Sequence, residues 1–239
     1  MTPSNHASPP LQIGMLLYPR LTQLDLTGPY EVFSRLSNTR VRLLWKTKDA
    51  VASDRGLGIL PTTLFDDCPP LDVLFAPGGA GQVGLMDDEV VLGFLARQAA
   101  TARYVVSVCT GSLVLAAAGL LQGYRATCHW MSHGELALLG AIPVSERIVV
   151  DRNRITGAGV SAGIDLALTM AALLRGEAEA KAIQLGIEYS PLPPFNTGSP
   201  DSAGPELTAA VRKRFEPFMA KRHEATLRAK TRLEHQDAR

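Results

Sequence analysis

At 239 residues the chain is long enough to bury a sizeable core as one domain, without disulfides or structural metals. Lys plus Arg number 24 against 23 for Asp plus Glu, a net charge of +1 that removes any global electrostatic case for nucleic acid or an anionic membrane. The three cysteines, Cys68, Cys109 and Cys128, are odd in number and lack CxxC spacing, which argues against a disulfide framework and a zinc site and points to a reducing cytoplasm.

Residues 1–10 are polar and Pro-rich, lack the charged and apolar regions of a signal peptide, and read as a disordered tail before a single domain over 11–239. Residues 11–18 (LQIGMLLY) form a nearly continuous apolar run, as expected of a strand buried on both faces of a parallel sheet. Pro29 fits the first turn of a helix whose inward stripe is Val32, Phe33 and Leu36. Asp25 then stands just before that helix, at the C-terminal edge of the first strand, where open α/β sheets bind ligands. A capping or turn role suits it equally well on spacing alone.

Residues 41–45 and 71–76 predict further strands, with a short extended piece at 56–62. The second of these strands ends in Pro77-Gly78-Gly79-Ala80-Gly81, a loop whose backbone can approach a ligand closely and offer N–H groups to developing negative charge. The loop does not match GxxxxGK[ST], and no nucleotide site is proposed for it. A helix over 90–102 leads to residues 104–108 (YVVSV), β-branched and buried in character, which run into Cys109 and then a helix of small and apolar residues ended by Gly119. A cysteine at such a joint has its sulfur near the first unpaired N–H groups of the helix, where thiolate is favoured. That makes Cys109 a candidate nucleophile, against the alternative of a buried core cysteine.

Residues 125–130 (RATCHW) predict a short strand carrying His129, either an orienting group for Cys109 or a structural histidine, before a helix over 132–139. A hairpin around residues 152–154, a buried helix over 163–175 and a second helix over 177–187 follow. Residues 189–205 read as an irregular surface segment. From residue 206 the chain is helix-prone but interrupted by Pro217, with Leu207, Val211 and Phe218 available to a dimer or to the chain's own core.

With these pieces placed, the chain resembles the ThiJ/PfpI superfamily, and within it the branch that hydrates isonitriles. The matching stretches are QLDLTGPYEV at Asp25, CPPLDV with PGG at Gly78 and Gly79, YVVSVCTGSLVLAAAGLLQG at Cys109, RATCHW at His129, TGAGVSAGIDLAL, and YSPLPPFNTGSPD. The resemblance implies a class I glutamine amidotransferase-like α/β fold, a mostly parallel sheet sandwiched by helices, with a nucleophile elbow at Cys109. Asp25 and Thr110 stand where protease-like and glyoxalase-like members carry Glu and, after the cysteine, the protease-like ones carry His, so a general base for peptide hydrolysis is missing. Superfamily members that regulate transcription continue into paired helix-turn-helix motifs, for which the fifty or so residues after Tyr189 leave too little chain. The implied chemistry is addition of water to an isonitrile through a thioimidate on Cys109, with Asp25 as proton donor and then base. Thr110, Gly78 and Gly79 would orient the water and the intermediate, with no cofactor and no metal. The implied assembly is a homodimer. A glyoxalase or deglycase acting on 2-oxoaldehydes, and a cysteine redox sensor, are the competing expectations.

Overall fold

The computed structural model describes residues 9–237, so positions 1–8 of the predicted tail lie outside the described residues. Seven strands form the main sheet: β1 (Leu11–Leu16), β2 (Thr39–Trp45), β3 (Thr63–Leu64), β4 (Val73–Ala76), β5 (Tyr104–Val108), β6 (Ile148–Asp151) and β7 (Arg154–Gly157). Their spatial order is β6-β7-β5-β4-β1-β2-β3. Every neighbouring pair is parallel except β6 with β7, the hairpin at one edge. The apolar runs read as doubly buried strands hold the centre, and all four residues of β4 are buried.

The helices cover both faces. On one, α1 (Gln23–Phe33) packs against α4 (Ala162–Arg175), which in turn packs on α5 (Glu177–Gly186). Gly28 and Gly163 allow this close approach, since a Cβ at Gly163 would lie 3.0 Å from Pro29 Cγ. On the other, α2 (Glu89–Ala99) and α3 (Gly111–Ala117) pack together, and α6 (Pro205–Asp237) lies along α3. Asp88 caps α2 by accepting from the Val91 N–H at 3.2 Å, a contact worth about 1 kcal/mol.

Three sequence expectations need correction. Helix α1 begins at Gln23 and runs through Pro29 instead of starting there, which puts Asp25 inside its first turn. Pro29 sits seven residues in, where its missing N–H frees the carbonyl four residues back, that of Asp25 itself. Pro217 likewise does not interrupt α6: the turn around it, Lys213 to Glu216, is exposed, so water replaces the lost hydrogen bond. The strand predicted at 125–130 is limited to Arg125–Ala126, with Cys128 and His129 in the loop that follows. Val32, Phe33 and Leu36 are buried as expected.

Candidate active site

Because β7, β5, β4 and β1 are adjacent and parallel, their C-terminal ends share one edge, and the loops leaving them meet there. Cys109 follows β5 directly and has φ +58°, a left-handed conformation rarely adopted by a side-chain-bearing residue. Its N–H donates to both Gly157 O at 3.0 Å and Ala158 O at 2.7 Å, which holds the turn from the β7 side. Gly111 admits the turn from the β4 side, because a Cβ there would lie 2.1 Å from Ala76 O. The sequence-level reading of a sharp strand-to-helix elbow at Cys109 thus has a geometric counterpart.

Gly78 is the meeting point of the site. A Cβ built on it would lie 2.6 Å from Asp25 Oδ2, 2.6 Å from the Thr110 nitrogen and 2.8 Å from Cys109 Cβ. The carboxyl, the elbow and the glycine loop are therefore in direct contact. The Gly78 N–H donates to Asp25 Oδ2 at 2.9 Å, and the Gly79 N–H donates to Thr110 Oγ1 at 3.0 Å. Both donors expected for a substrate anion are thus directed at side chains of the site, positioning Asp25 and Thr110.

Asp25 is fully buried and Cys109 nearly so. Burial raises the Asp25 pKa to about 7; the Cys109 thiol and the Gly78 N–H work against that rise, and the Asp54 charge adds to it. Burial also pushes the Cys109 thiol well above its ordinary range, the Asp25 charge adds to this, and the Thr110 backbone N–H opposes it. The helix N-terminus pulls toward thiolate as the sequence suggested, yet desolvation outweighs it in the resting chain. Two buried acids side by side titrate as a pair, and neither surrenders its proton independently. Asp25 Oδ1 has no protein partner with full hydrogen-bond geometry, while the Cys109 thiol is near enough to act on the carboxyl as a hydrogen-bond partner.

His129 is brought near without joining this pair. Its Nδ1 accepts from the Met131 N–H at 3.4 Å, its ring packs on Trp130, and a Cβ on Gly159 would meet its Cδ2 at 3.5 Å. Burial, with the nearby Arg222 charge, lowers its pKa to about 4, so the ring is neutral at pH 7. Among the described residues it makes no hydrogen bond to Cys109 or Asp25. Sequence reasoning missed three neighbours. Tyr18 is buried at the end of β1 and donates its hydroxyl to Pro77 O at 2.9 Å, steadying the glycine loop. Gln82 is fully buried with both amide atoms unpartnered, and Arg222 reaches inward from α6. The location of Tyr18 at the functional sheet edge was a signal available in the sequence.

Among the described residues no cluster of His, Cys, Asp and Glu has the makings of a metal centre, and no helix is long and apolar enough to cross a membrane. What the site offers is a strained cysteine touching a carboxyl whose proton is held to near neutrality, an arrangement suited to nucleophilic addition with proton delivery.

Comparison with known proteins gives the family of the chain. An isonitrile hydratase from Pseudomonas putida is 55% identical over 223 residues, covering 93% of this chain and 98% of that protein. A transcriptional regulator from Pseudomonas aeruginosa, GbdR, is 35% identical over 73% of this chain but only 49% of its own length. A ThiJ/PfpI family protein from Pseudomonas syringae superposes with a TM-score of 0.89 at 44% identity, covering 93% of this chain and 98% of that one. Drosophila melanogaster DJ-1beta, at 23% identity and a TM-score of 0.68, shares the fold. The model of the DJ-1/PfpI family matches residues 12–173, which hold β1 through most of α4 and both Asp25 and Cys109, and the chain belongs to that family.

Proposed function

We propose that this chain is a hydro-lyase that adds water to isonitriles, giving N-substituted formamides. The observation that carries the reading is the contact of Asp25, Cys109 and Thr110 around Gly78, supported by the 55% identity to the Pseudomonas putida isonitrile hydratase. In the singly protonated pair the proton passes between sulfur and carboxyl, so the thiolate and the carboxylic acid form together. The thiolate adds to the terminal carbon of R–N≡C, and Asp25 gives its proton to that carbon, producing a thioimidate, R–N=CH–S–Cys109. The Asp25 carboxylate then takes a proton from water as its oxygen attacks the same carbon. Asp25 passes that proton to the imine nitrogen, and collapse breaks the C–S bond, hands the hydroxyl proton to the departing sulfur and releases R–NH–CHO, which restores the singly protonated pair. The sum is R–NC plus H₂O to R–NH–CHO, with nothing oxidised and no cofactor called on.

The oriented parts have assigned tasks in this scheme. Gly78 fixes Asp25 through its N–H, Gly79 fixes the Thr110 hydroxyl, and the Thr110 backbone N–H stabilises the sulfur anion. His129 keeps a structural role. An assay of formamide release from aryl and alkyl isonitriles tests the reading. We expect rapid turnover whose kcat/KM rises through a limb near pH 7, because above that pH the pair keeps one proton and the thiolate becomes accessible. Absence of turnover on both substrate types, with lactate formed from methylglyoxal, would replace the hydratase with a 2-oxoaldehyde enzyme.

The working unit we propose is a homodimer. Leu185, Leu192 and Phe195 are 81%, 93% and 76% exposed, which is too much apolar surface for one stretch of chain to leave in water unpartnered. Residues 189–199 extend over the surface as the sequence suggested, and a second copy gives their side chains a place to bury. Sedimentation should give a particle of twice the 25.6 kDa chain mass, and replacing Leu192 and Phe195 together with Ser should shift it toward the monomer. A monomer at micromolar concentration in the unaltered protein would contradict this.

A further inference from the structure

Thr22 stands at the N-cap of α1, where a threonine hydroxyl ordinarily accepts from an N–H of the first turn. Here it makes no such cap. The hydroxyl instead donates to Asp54 Oδ2 at 3.2 Å, across 32 residues of chain. An unused cap forgoes about 1 kcal/mol of helix stability, so the diversion calls for a reason.

The main chain of Thr22 belongs to a closed ring of hydrogen bonds that includes the Asp25 carboxyl. Its N–H donates to Gly78 O at 3.0 Å, the Gly78 N–H donates to Asp25 Oδ2 at 2.9 Å, and the Asp25 N–H donates back to Thr22 O at 3.1 Å. The backbone and one carboxyl oxygen of Asp25 are thereby set by Thr22 and Gly78, and Oδ1 is the oxygen left over. The fit is close, because a Cβ on Gly79 would lie 2.3 Å from the Thr22 nitrogen. From the other side the Asp54 N–H donates to Leu21 O at 2.9 Å, and the Arg20 N–H donates to Ala52 O at 2.8 Å. Residues 20–22 therefore run between the glycine loop and a two-stranded ribbon, Val51–Ala52 with Gly58–Ile59. Asp54 is fixed within that ribbon's turn, where the preceding Ser53 Oγ accepts from the Arg55 and Leu57 N–H groups at 3.3 and 3.0 Å.

We propose that Asp54 and Thr22 are positioning residues of the proton donor: the Asp54 carboxylate grips the Thr22 hydroxyl, and through the Thr22–Gly78–Asp25 ring that grip holds the Asp25 carboxyl against the elbow. The inference rests on the role proposed for Asp25 and adds what keeps it in place. It also accounts for the missing cap, since a hydroxyl turned back onto α1 would leave Thr22 joined to the outer ribbon by backbone alone. The ionisable groups around Asp25 are Cys109 from the elbow and Asp54 from the ribbon, with Tyr18 after β1 as a neutral neighbour. The Asp54 charge favours the protonated form of Asp25, the form that donates.

The test reads Asp25 twice: by the NMR titration of its carboxyl carbon, a resonance identified through its loss in Asp25→Asn, and by isonitrile turnover. Thr22→Val keeps the side-chain shape and removes the tether. With the ring slackened, the Gly78 N–H stabilises the carboxylate less, so the Asp25 midpoint should rise by about half a unit or more. In the same variant kcat should fall about tenfold with KM unchanged, as expected of a misplaced proton donor that acts in the chemical step. Thr22→Ser restores the hydroxyl and should return both readings to those of the unaltered protein. Asp54→Asn keeps an oxygen for that hydroxyl while removing a charge, so it should retain kcat to within about threefold and move the midpoint down. A folded Thr22→Val protein with an unmoved midpoint, or one whose loss lies in KM, would reduce the contact to packing. Should that variant not fold, Asp54→Ala cuts the same tether from the ribbon side. It should lower kcat about tenfold where Asp54→Asn does not, and equal kinetics for the two would overturn the proposal. A raised midpoint in a Thr22→Val protein without isonitrile turnover would sustain the clamp while removing the hydratase assignment.

Discussion

Cys109→Ala should abolish formamide production from an aryl isonitrile, and Asp25→Asn should lower kcat by about 10²–10⁴-fold while making the protein more stable, outcomes that turnover and thermal unfolding at pH 8 would check. The loss of activity follows from the scheme: without sulfur there is no thioimidate, and without the carboxyl neither the proton to carbon nor the base for water is available. The gain in stability follows from burial. Unfolded Asp25 releases its proton near pH 3.8 and the folded residue near 7, so between those values unfolding releases a proton. The stability that Asp25 contributes is complete below about pH 4, falls as pH rises through 7, and stays low above. An asparagine in its place carries no charge to desolvate and can still accept from the Gly78 N–H. The difference is on the order of 3–4 kcal/mol above pH 7, a rise in Tm of roughly 5–10 °C that shrinks as the pH is lowered toward 4. An Asn variant that is inactive and also less stable at pH 8 would show that Asp25 is a structural carboxylate, ionised and satisfied in the fold.

The legible parts of this molecule are those whose signal is local. The apolar runs at β1 and β4, the β-branched run at β5, the glycine loop after β4 and the small-residue helix after Cys109 each announce themselves within ten residues, and together they place the functional edge of the sheet. The start of α1 departs from the local rule that Pro favours a first turn, a rule that here yields to tertiary packing of Pro29 against Gly163. Arg222 was illegible for a different reason. It lies in Lys221-Arg222-His223-Glu224, where four ionisable residues in succession look like a solvated face, and only the register of α6 against α3 decides that Arg222 alone turns inward. The uses of the Gly78 and Gly79 N–H groups were likewise hidden, since a glycine-rich loop advertises donors without saying whether a ligand or a neighbouring side chain receives them.

Gly78→Ala should leave a folded protein with kcat/KM reduced about a hundredfold or more, the scale of loss produced by a displacement of about 1 Å at reacting groups. The new methyl would stand 2.6 Å from Asp25 Oδ2, 2.6 Å from the Thr110 nitrogen and 2.8 Å from Cys109 Cβ. Two of these three neighbours belong to the elbow, whose backbone is tied to Gly157 O and Ala158 O. The carboxyl is the part able to give way, and giving way takes its proton from the sulfur. Gly111→Ala meets a harder obstacle, Ala76 O at 2.1 Å and Pro77 O at 2.7 Å, all of it backbone, and is expected to prevent α3 from seating on the sheet at all. Gly84, in the helical turn Gln82–Leu85, has nothing within 4 Å, so Gly84→Ala should be neutral or slightly stabilising. The three substitutions add the same methyl within one loop-and-elbow region, and their effects separate by what the methyl meets: reacting groups, fixed backbone, or open space. If Gly78→Ala kept native kinetics, the contact of Asp25 with the elbow would not be the geometry of the reaction, and the proton would have to arrive by another route.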